Sequence, residues 1–258
     1  MKLCVVGNSH AAALKGALDA DGGGASVDLS FYVMPGGAGP NLRIDGNRLL
    51  PAPLNKDKVF STVPGAGTDG LDLSLFDVVV VCAVGLPAHR NGDAAHILNR
   101  LALGSLIQNA SVDRQIVSEA VMASEMENVL RASANQQTIQ LIRSVFSGRI
   151  IVQVCPLPTR AISAYKVTSE RGSDLATQYG DNVWTFLGWY YRTQISLITT
   201  CAGPLDAHVL APQPAFIEAG QTPSKFGTPD PWHMNTAYGR LVLKQVCAAL
   251  GQPIGPAA

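Results

Sequence analysis

The run Asp77-Val78-Val79-Val80-Val81-Cys82-Ala83 constrains the fold more than any other feature of this chain. It is apolar at consecutive positions, not alternate ones. A strand built from it is buried on both faces, the pattern of a parallel sheet covered by helices on each side. Valine also favours the extended backbone, because its branched Cβ restricts χ1 in a helix. Ile150–Val154 has the same character. Lys2–Val6, Val27–Met34 and His208–Ala211 complete a set of five candidate strands.

Helical stretches lie between these runs: Ala11–Ala20, His96–Gln108, Val117–Val145, Asp181–Thr199 and Thr236–Leu250. In the last, Tyr238, Leu241, Val242, Val246 and Ala249 share one face, which packs on a sheet. Alternating strands and helices predict an α/β fold, a doubly wound three-layer α/β/α sandwich with a mostly parallel five-stranded sheet. The whole chain, 1–258, reads as one domain with insertions near 40–75 and 159–181. In the first, Asp45-Gly46-Asn47 separates two apolar arms and predicts a β-hairpin. The remainder of that insertion, rich in Pro and Gly, reads as loop.

The 19 basic and 19 acidic side chains cancel, and no Lys/Arg block occurs. That excludes the electrostatic footprint of a nucleic-acid or anionic-membrane binder. Val78–Ala88, the longest apolar stretch, is shorter than the roughly 20 residues a membrane span needs. Met1-Lys2 runs straight into a short strand, without the long apolar region of a signal peptide. The five cysteines are scattered, with no CxxC pair and no metal-ligand spacing. They read as reduced, mostly buried thiols of a cytoplasmic protein. The expected partner is a small, modestly polar molecule or another protein. The oligomeric state is left open.

Two short segments carry chemistry. Gly7-Asn8-Ser9-His10 places a serine between the first strand and the first helix, at the sheet edge where α/β proteins bind ligands. Helix-start N–H groups there favour a developing oxyanion. Taken alone, Ser9 is more simply read as the cap of that helix, because Ser is a preferred cap. Asp230-Pro231-Trp232-His233 lies just before the last helix. An Asp three residues before a His can orient the imidazole, and the imidazole can act as base toward a serine. The plainer reading makes Asp230 a turn residue and His233 a helix cap.

Taken in order, the two segments resemble the first and last blocks of the SGNH (GDSL-like) hydrolases. Gly7-Asn8-Ser9 has Asn where that family usually has Asp. Asn235 and Tyr238-Gly239 follow Asp230-Pro231-Trp232-His233 as they often do in the family. The resemblance implies a flavodoxin-like sandwich and the hydrolysis or transfer of an acyl group from a small ester, O-acylated carbohydrates among the candidates. It makes Ser9 the nucleophile, His233 the base and Asp230 its orienter. No cofactor or metal is implied.

The middle blocks match less well. Pro35-Gly36-Gly37-Ala38-Gly39 follows the second strand, and Gly37 or Gly36 matches the family's glycine oxyanion donor, beside the Ser9 N–H. A plain glycine turn explains it equally. After the third strand, Pro87 stands where the family has a donating Asn, and proline has no N–H to offer. His89, Asn91 or no residue at all fills that role. Asn8, His10, Arg160 and Trp232 are candidate substrate contacts. Rigid packing of the Pro-rich loop is the alternative for Arg160. His96 and His208 have no acidic or cysteine partner at ligand spacing. Trp184, Tyr191, Ile195 and Ile198 form one helical stripe, read as core or an oligomer face, while Trp189 and Tyr190 fall on another side and read as exposed.

Two rival readings remain. One is a non-catalytic SGNH-fold binding or interaction protein with a degenerate oxyanion hole. The other is a doubly wound nucleotide-binding domain using the Gly36-Gly37 loop.

Overall fold

The structure, a computed structural model, describes residues 1–20, 27–34, 42–51, 59–86, 94–108, 114–159, 173–214, 217–218, 220–229 and 233–252. In chain order the strands are β1 (Lys2–Gly7), β2 (Asp28–Val33), β3 (Leu42–Asp45), β4 (Arg48–Pro51), β5 (Phe60–Ser61), β6 (Leu71–Asp72), β7 (Val78–Val84), β8 (Leu101–Leu103), β9 (Gln115–Val117), β10 (Arg149–Val154) and β11 (Ala207–Leu210). The helices are α1 (Ala11–Ala20), α2 (Ala66–Asp69), α3 (Ala95–Leu98), α4 (Glu119–Ala132), α5 (Ala134–Val145), α6 (Ser173–Tyr179), α7 (Val183–Ala202) and α8 (Thr236–Ala249).

The main sheet runs β11-β10-β7-β1-β2-β5. Its first five members are parallel and are the five expected from the sequence. Numbered along the chain, they take the order 2-1-3-4-5, that of flavodoxin-like sheets. The sixth strand, β5, is antiparallel to β2 at the edge and was not expected. β7 is buried at all seven positions, as its valine run requires.

Alternate side chains of the strands enter two separate cores. Leu3, Val5, Phe31, Val80 and Ile151 pack with Leu14, Tyr238, Val242 and Val246 of α1 and α8. Cys4, Val6, Tyr32, Val79, Val81 and Val152 pack with Met122, Met126, Ile139, Ile142 and Leu187 of α4, α5 and α7. One sheet between two helical layers is the expected sandwich. The two contiguous apolar cores give it its cohesion, at roughly 25 cal/mol per Å² of apolar area removed from water. α1 and α8 approach so closely that a Cβ on Gly239 would lie 1.9 Å from the Ala13 carbonyl oxygen.

Several expectations need correction. His96–Gln108 is not one helix. α3 stops at Leu98, and Leu101–Leu103, buried at three consecutive positions, pairs in parallel with β9. Val117–Val145 is two helices. Ser133 has extended backbone angles, accepts from Gln136 N and so caps α5 where α4 ends. The 42–50 hairpin forms as expected, but β6 adds a third strand to it and α2 occupies part of the supposed loop. In the second insertion, residues 160–172 lie outside the described residues, and Ser173–Tyr179 is helical. Tyr190 is fully buried rather than exposed, and its hydroxyl donates to Leu86 O at 2.9 Å. Trp189 is partly buried, with its indole N–H donating to Glu119.

All five cysteines are free and buried. Among the described residues, no helix is long and apolar enough to cross a membrane.

Candidate active site

Ser9 and His233 come together although 224 residues separate them. β1 ends at Gly7 on the carboxyl edge of the sheet, and Asn8–His10 make the turn into α1. Ala11 N and Ala12 N donate to Asn8 O and Ser9 O, at 3.0 and 3.1 Å. The Asn8 side chain accepts from His10 N at 3.1 Å, which sets the shape of the turn. Gly7 is required here by close approach, because a Cβ on it would lie 2.9 Å from the Cys82 Cβ in β7.

His233 arrives from the other end of the chain. Asn235 caps α8 by accepting from Tyr238 N at 3.2 Å, and its side-chain amide donates to Lys225 O and Gly227 O. Gly227 bridges Met234, and Thr228 N donates to His233 O at 3.2 Å. The backbone from His233 to Asn235 is thereby held. The ring Nε2 lies 2.9 Å from Ser9 Oγ. The ring of His10 stacks on that of His233, with centroids 4.8 Å apart and planes 28° apart. Ser9, His10 and His233 are all half-buried. A Ser hydroxyl at this distance donates to Nε2 when the ring carries its proton on Nδ1, the arrangement a general base needs.

The exit of β7 borders the same turn. The register against β10 shifts there: Cys82 faces Gln153 and Val84 faces Val154, so Ala83 is the extra residue of a bulge. Its φ of +59° lies in the left-handed region, uncommon for a residue with a Cβ. The bulge takes Ala83 N–H out of the ladder, and the Gln153 side-chain oxygen accepts it at 2.9 Å. The same oxygen accepts from Cys82 Sγ at 3.3 Å. One step on, Leu86 N donates to Gln194 Oε1, and Asn135 Nδ2 donates to Gly85 O at 3.4 Å. Four side chains from three elements thus fix residues 83–86, counting Tyr190 on Leu86 O. Burial pushes the Cys82 thiol up to about 12, with Cys155 adding to the rise, so Cys82 stays a neutral thiol beside Gly7 at physiological pH.

Of the residues singled out from the sequence, the structure brings together Asn8, Ser9, His10 and His233. Met34 N donates to Gly7 O at 3.0 Å, so β2 also ends beside this turn. Asp230, Trp232, Gly36, Gly37, His89, Asn91 and Arg160 lie outside the described residues. Among the described residues no three His, Cys, Asp or Glu side chains gather as a metal site would require. Sequence reasoning passed over Gln153, Gln194 and Asn135. The one available signal was the glutamine inside the otherwise apolar run Ile150-Ile151-Val152-Gln153-Val154.

No protein-family model matches the chain, and no curated protein matches it. Among solved structures it is similar to a platelet activating factor candidate from Streptococcus pneumonia. The identity is 13%, over 96% of this chain and 83% of that one, with a TM-score of 0.45. A likeness at that level identifies no acting residue in this chain.

Proposed function

We propose that the protein is a serine hydrolase of the SGNH kind, which cleaves small acyl esters or transfers their acyl group. The reading rests on one observation, the 2.9 Å approach of Ser9 Oγ to His233 Nε2 at the carboxyl edge of a doubly wound sheet. In the reaction, Ser9 Oγ attacks the acyl carbon and its proton passes to His233 Nε2. The tetrahedral intermediate collapses, the bond from carbon to the alcohol oxygen breaks, and His233 gives its proton to that oxygen. Water, or an acceptor alcohol, then attacks the acyl-enzyme. Its proton goes to His233 and returns to Ser9 Oγ as the acid or the new ester leaves. Asp230 is the residue proposed to orient His233, and Gly37 or Gly36 with Ser9 N–H the donors to the oxyanion.

Purified protein treated with a fluorophosphonate probe tests this. Wild type is expected to be labelled at Ser9 and to hydrolyse p-nitrophenyl acetate. Ser9→Ala is expected to lose both, and His233→Ala to lose at least a thousandfold in rate, by analogy with other serine triads. Esterase activity that survives Ser9→Ala would falsify the assignment. A folded wild type that takes no label favours the rival reading of a binding protein on this scaffold. The motive for that reading is Pro87, which cannot donate where a third oxyanion donor is expected.

A further inference from the structure

Two side chains of the Gly7–His10 turn meet the His233 ring, and they meet it at different places. Ser9 Oγ lies 2.9 Å from Nε2, at the edge of the ring. The ring of His10 lies against its face, with centroids 4.8 Å apart and planes 28° apart. Aromatic rings in contact have centroids about 4.5–7 Å apart, so this pair is closely stacked. The fold fixes both partners. His10 N donates to Asn8 Oδ1 at 3.1 Å, and His10 O accepts from Ala13 N at 3.4 Å, which ties His10 into the start of α1. The Ala13 carbonyl leaves no room for a Cβ on Gly239 of α8, the helix that starts at Thr236, just after His233. Each ring therefore stands just ahead of a helix, and the two helices are locked together.

Stacking supplies what the hydrogen bond lacks. The second torsion of a histidine side chain joins a tetrahedral carbon to a planar one, and its energy well is broad. A single hydrogen bond at Nε2 fixes one point of the ring and leaves the plane free to rock about it. A flat group pressed on the face removes that freedom. The contact also acts after the proton has moved, when the His233 ring carries a positive charge, because an aromatic face attracts a cation. Asp230, in its proposed role, would act on the edge of the ring; His10 acts on the face.

We propose that His10 is a positioning residue for His233: its ring, stacked on the imidazole, holds Nε2 on the Ser9 hydroxyl and steadies the imidazolium formed during acyl transfer. The inference rests on the serine hydrolase reading. Assays use p-nitrophenyl acetate at about pH 8, where an ordinary imidazole is uncharged. His10→Leu, which removes the flat ring, is expected to lower kcat about tenfold and to leave KM within about twofold. His10→Phe, which restores a flat ring, is expected to recover kcat to within about threefold of wild type. If His10→Leu does not fold, His10→Asn, a residue at ease in turns, removes the ring in its place. A raised KM with kcat unchanged, or a loss in His10→Phe as large as in His10→Leu, overturns the proposal, since His10 would then touch substrate or act through its nitrogens. Nitrogen NMR of histidine-labelled protein reads the His233 ring with no substrate present. Wild type and His10→Phe should show one tautomer, with the proton on Nδ1, and His10→Leu a mixture of two. The same single tautomer in all three proteins also overturns the proposal. A wild type that takes no fluorophosphonate label and cleaves no ester, yet loses its single tautomer in His10→Leu, upholds the positioning of His233 by His10 and sinks the serine chemistry.

Discussion

Gln153 occupies a position in β10 where the surrounding Ile151, Val152 and Val154 are fully buried, and an apolar side chain there would cost nothing in lost hydration. What the site needs is an acceptor for the Ala83 N–H that the bulge in β7 leaves out of the ladder. Gln153→Leu keeps the volume and removes that acceptor. Leaving one buried donor unsatisfied costs about 1–3 kcal/mol, which in a protein of this size lowers Tm by about 2–4 °C per kcal/mol. The measurement is thermal unfolding by circular dichroism; a Tm equal to wild type would mean that Ala83 N–H finds another partner. Ser9 and His233 were legible in the sequence because each sits at a boundary between elements, next to residues that mark turns. The role of Gln153 was not, since it depends on a bulge in another strand that no pattern in β7 announces.

Two helices set the distance between Ser9 and His233. Ser9 stands just before α1, His233 just before α8, and the two helices pack against each other at Gly239. The backbone of Ala13 and Leu14 lies where a Cβ on residue 239 would be, with the nearest atom at 1.9 Å and Leu14 N at 2.8 Å. Backbone cannot swing aside as a side-chain tip can, so Gly239→Ala must push the helices apart. Overpacking of this kind costs about 1–3 kcal/mol and at times more. Urea unfolding should show a lowered midpoint, and the protein that remains folded should label more slowly at Ser9 with the fluorophosphonate probe. An unchanged midpoint would contradict the packing described here. At this scale the sequence was read well where one element is long and uniform, as in β7, β10 and α8. It was misread where a helical apolar pattern gave way to short pairing, as in β8 with β9. Strands of two residues, such as β5 and β6, exist only because a neighbour pairs with them, and two residues carry no period to detect.

Among the described residues, every thiol and every phenol is buried. Burial alone pushes Cys155 from 9.0 up to about 12. Burial first, and then Cys155, does the same for Cys82. It carries Tyr32 and Tyr179 from 10.0 up to about 12, and it raises Cys4 and Tyr238 as well. The unfolded chain would release these protons near their ordinary values, while the folded chain holds them. Between pH 9 and pH 12 the unfolded state therefore binds fewer protons than the native state. The unfolding free energy falls with rising pH in that window, and these groups leave it flat below about pH 9. Denaturant midpoints taken with reducing agent at pH 7, 8, 10 and 11 should be level for the first two and fall over the last two. Cys155→Ala removes one of the buried thiols and should make the fall from pH 8 to pH 11 shallower than in wild type. The same slope in both proteins would mean that Cys155 ionises in the fold as readily as in the unfolded chain. That outcome would contradict a core sealed around β10 and the exit of β7, the wall against which the Ser9 turn is packed.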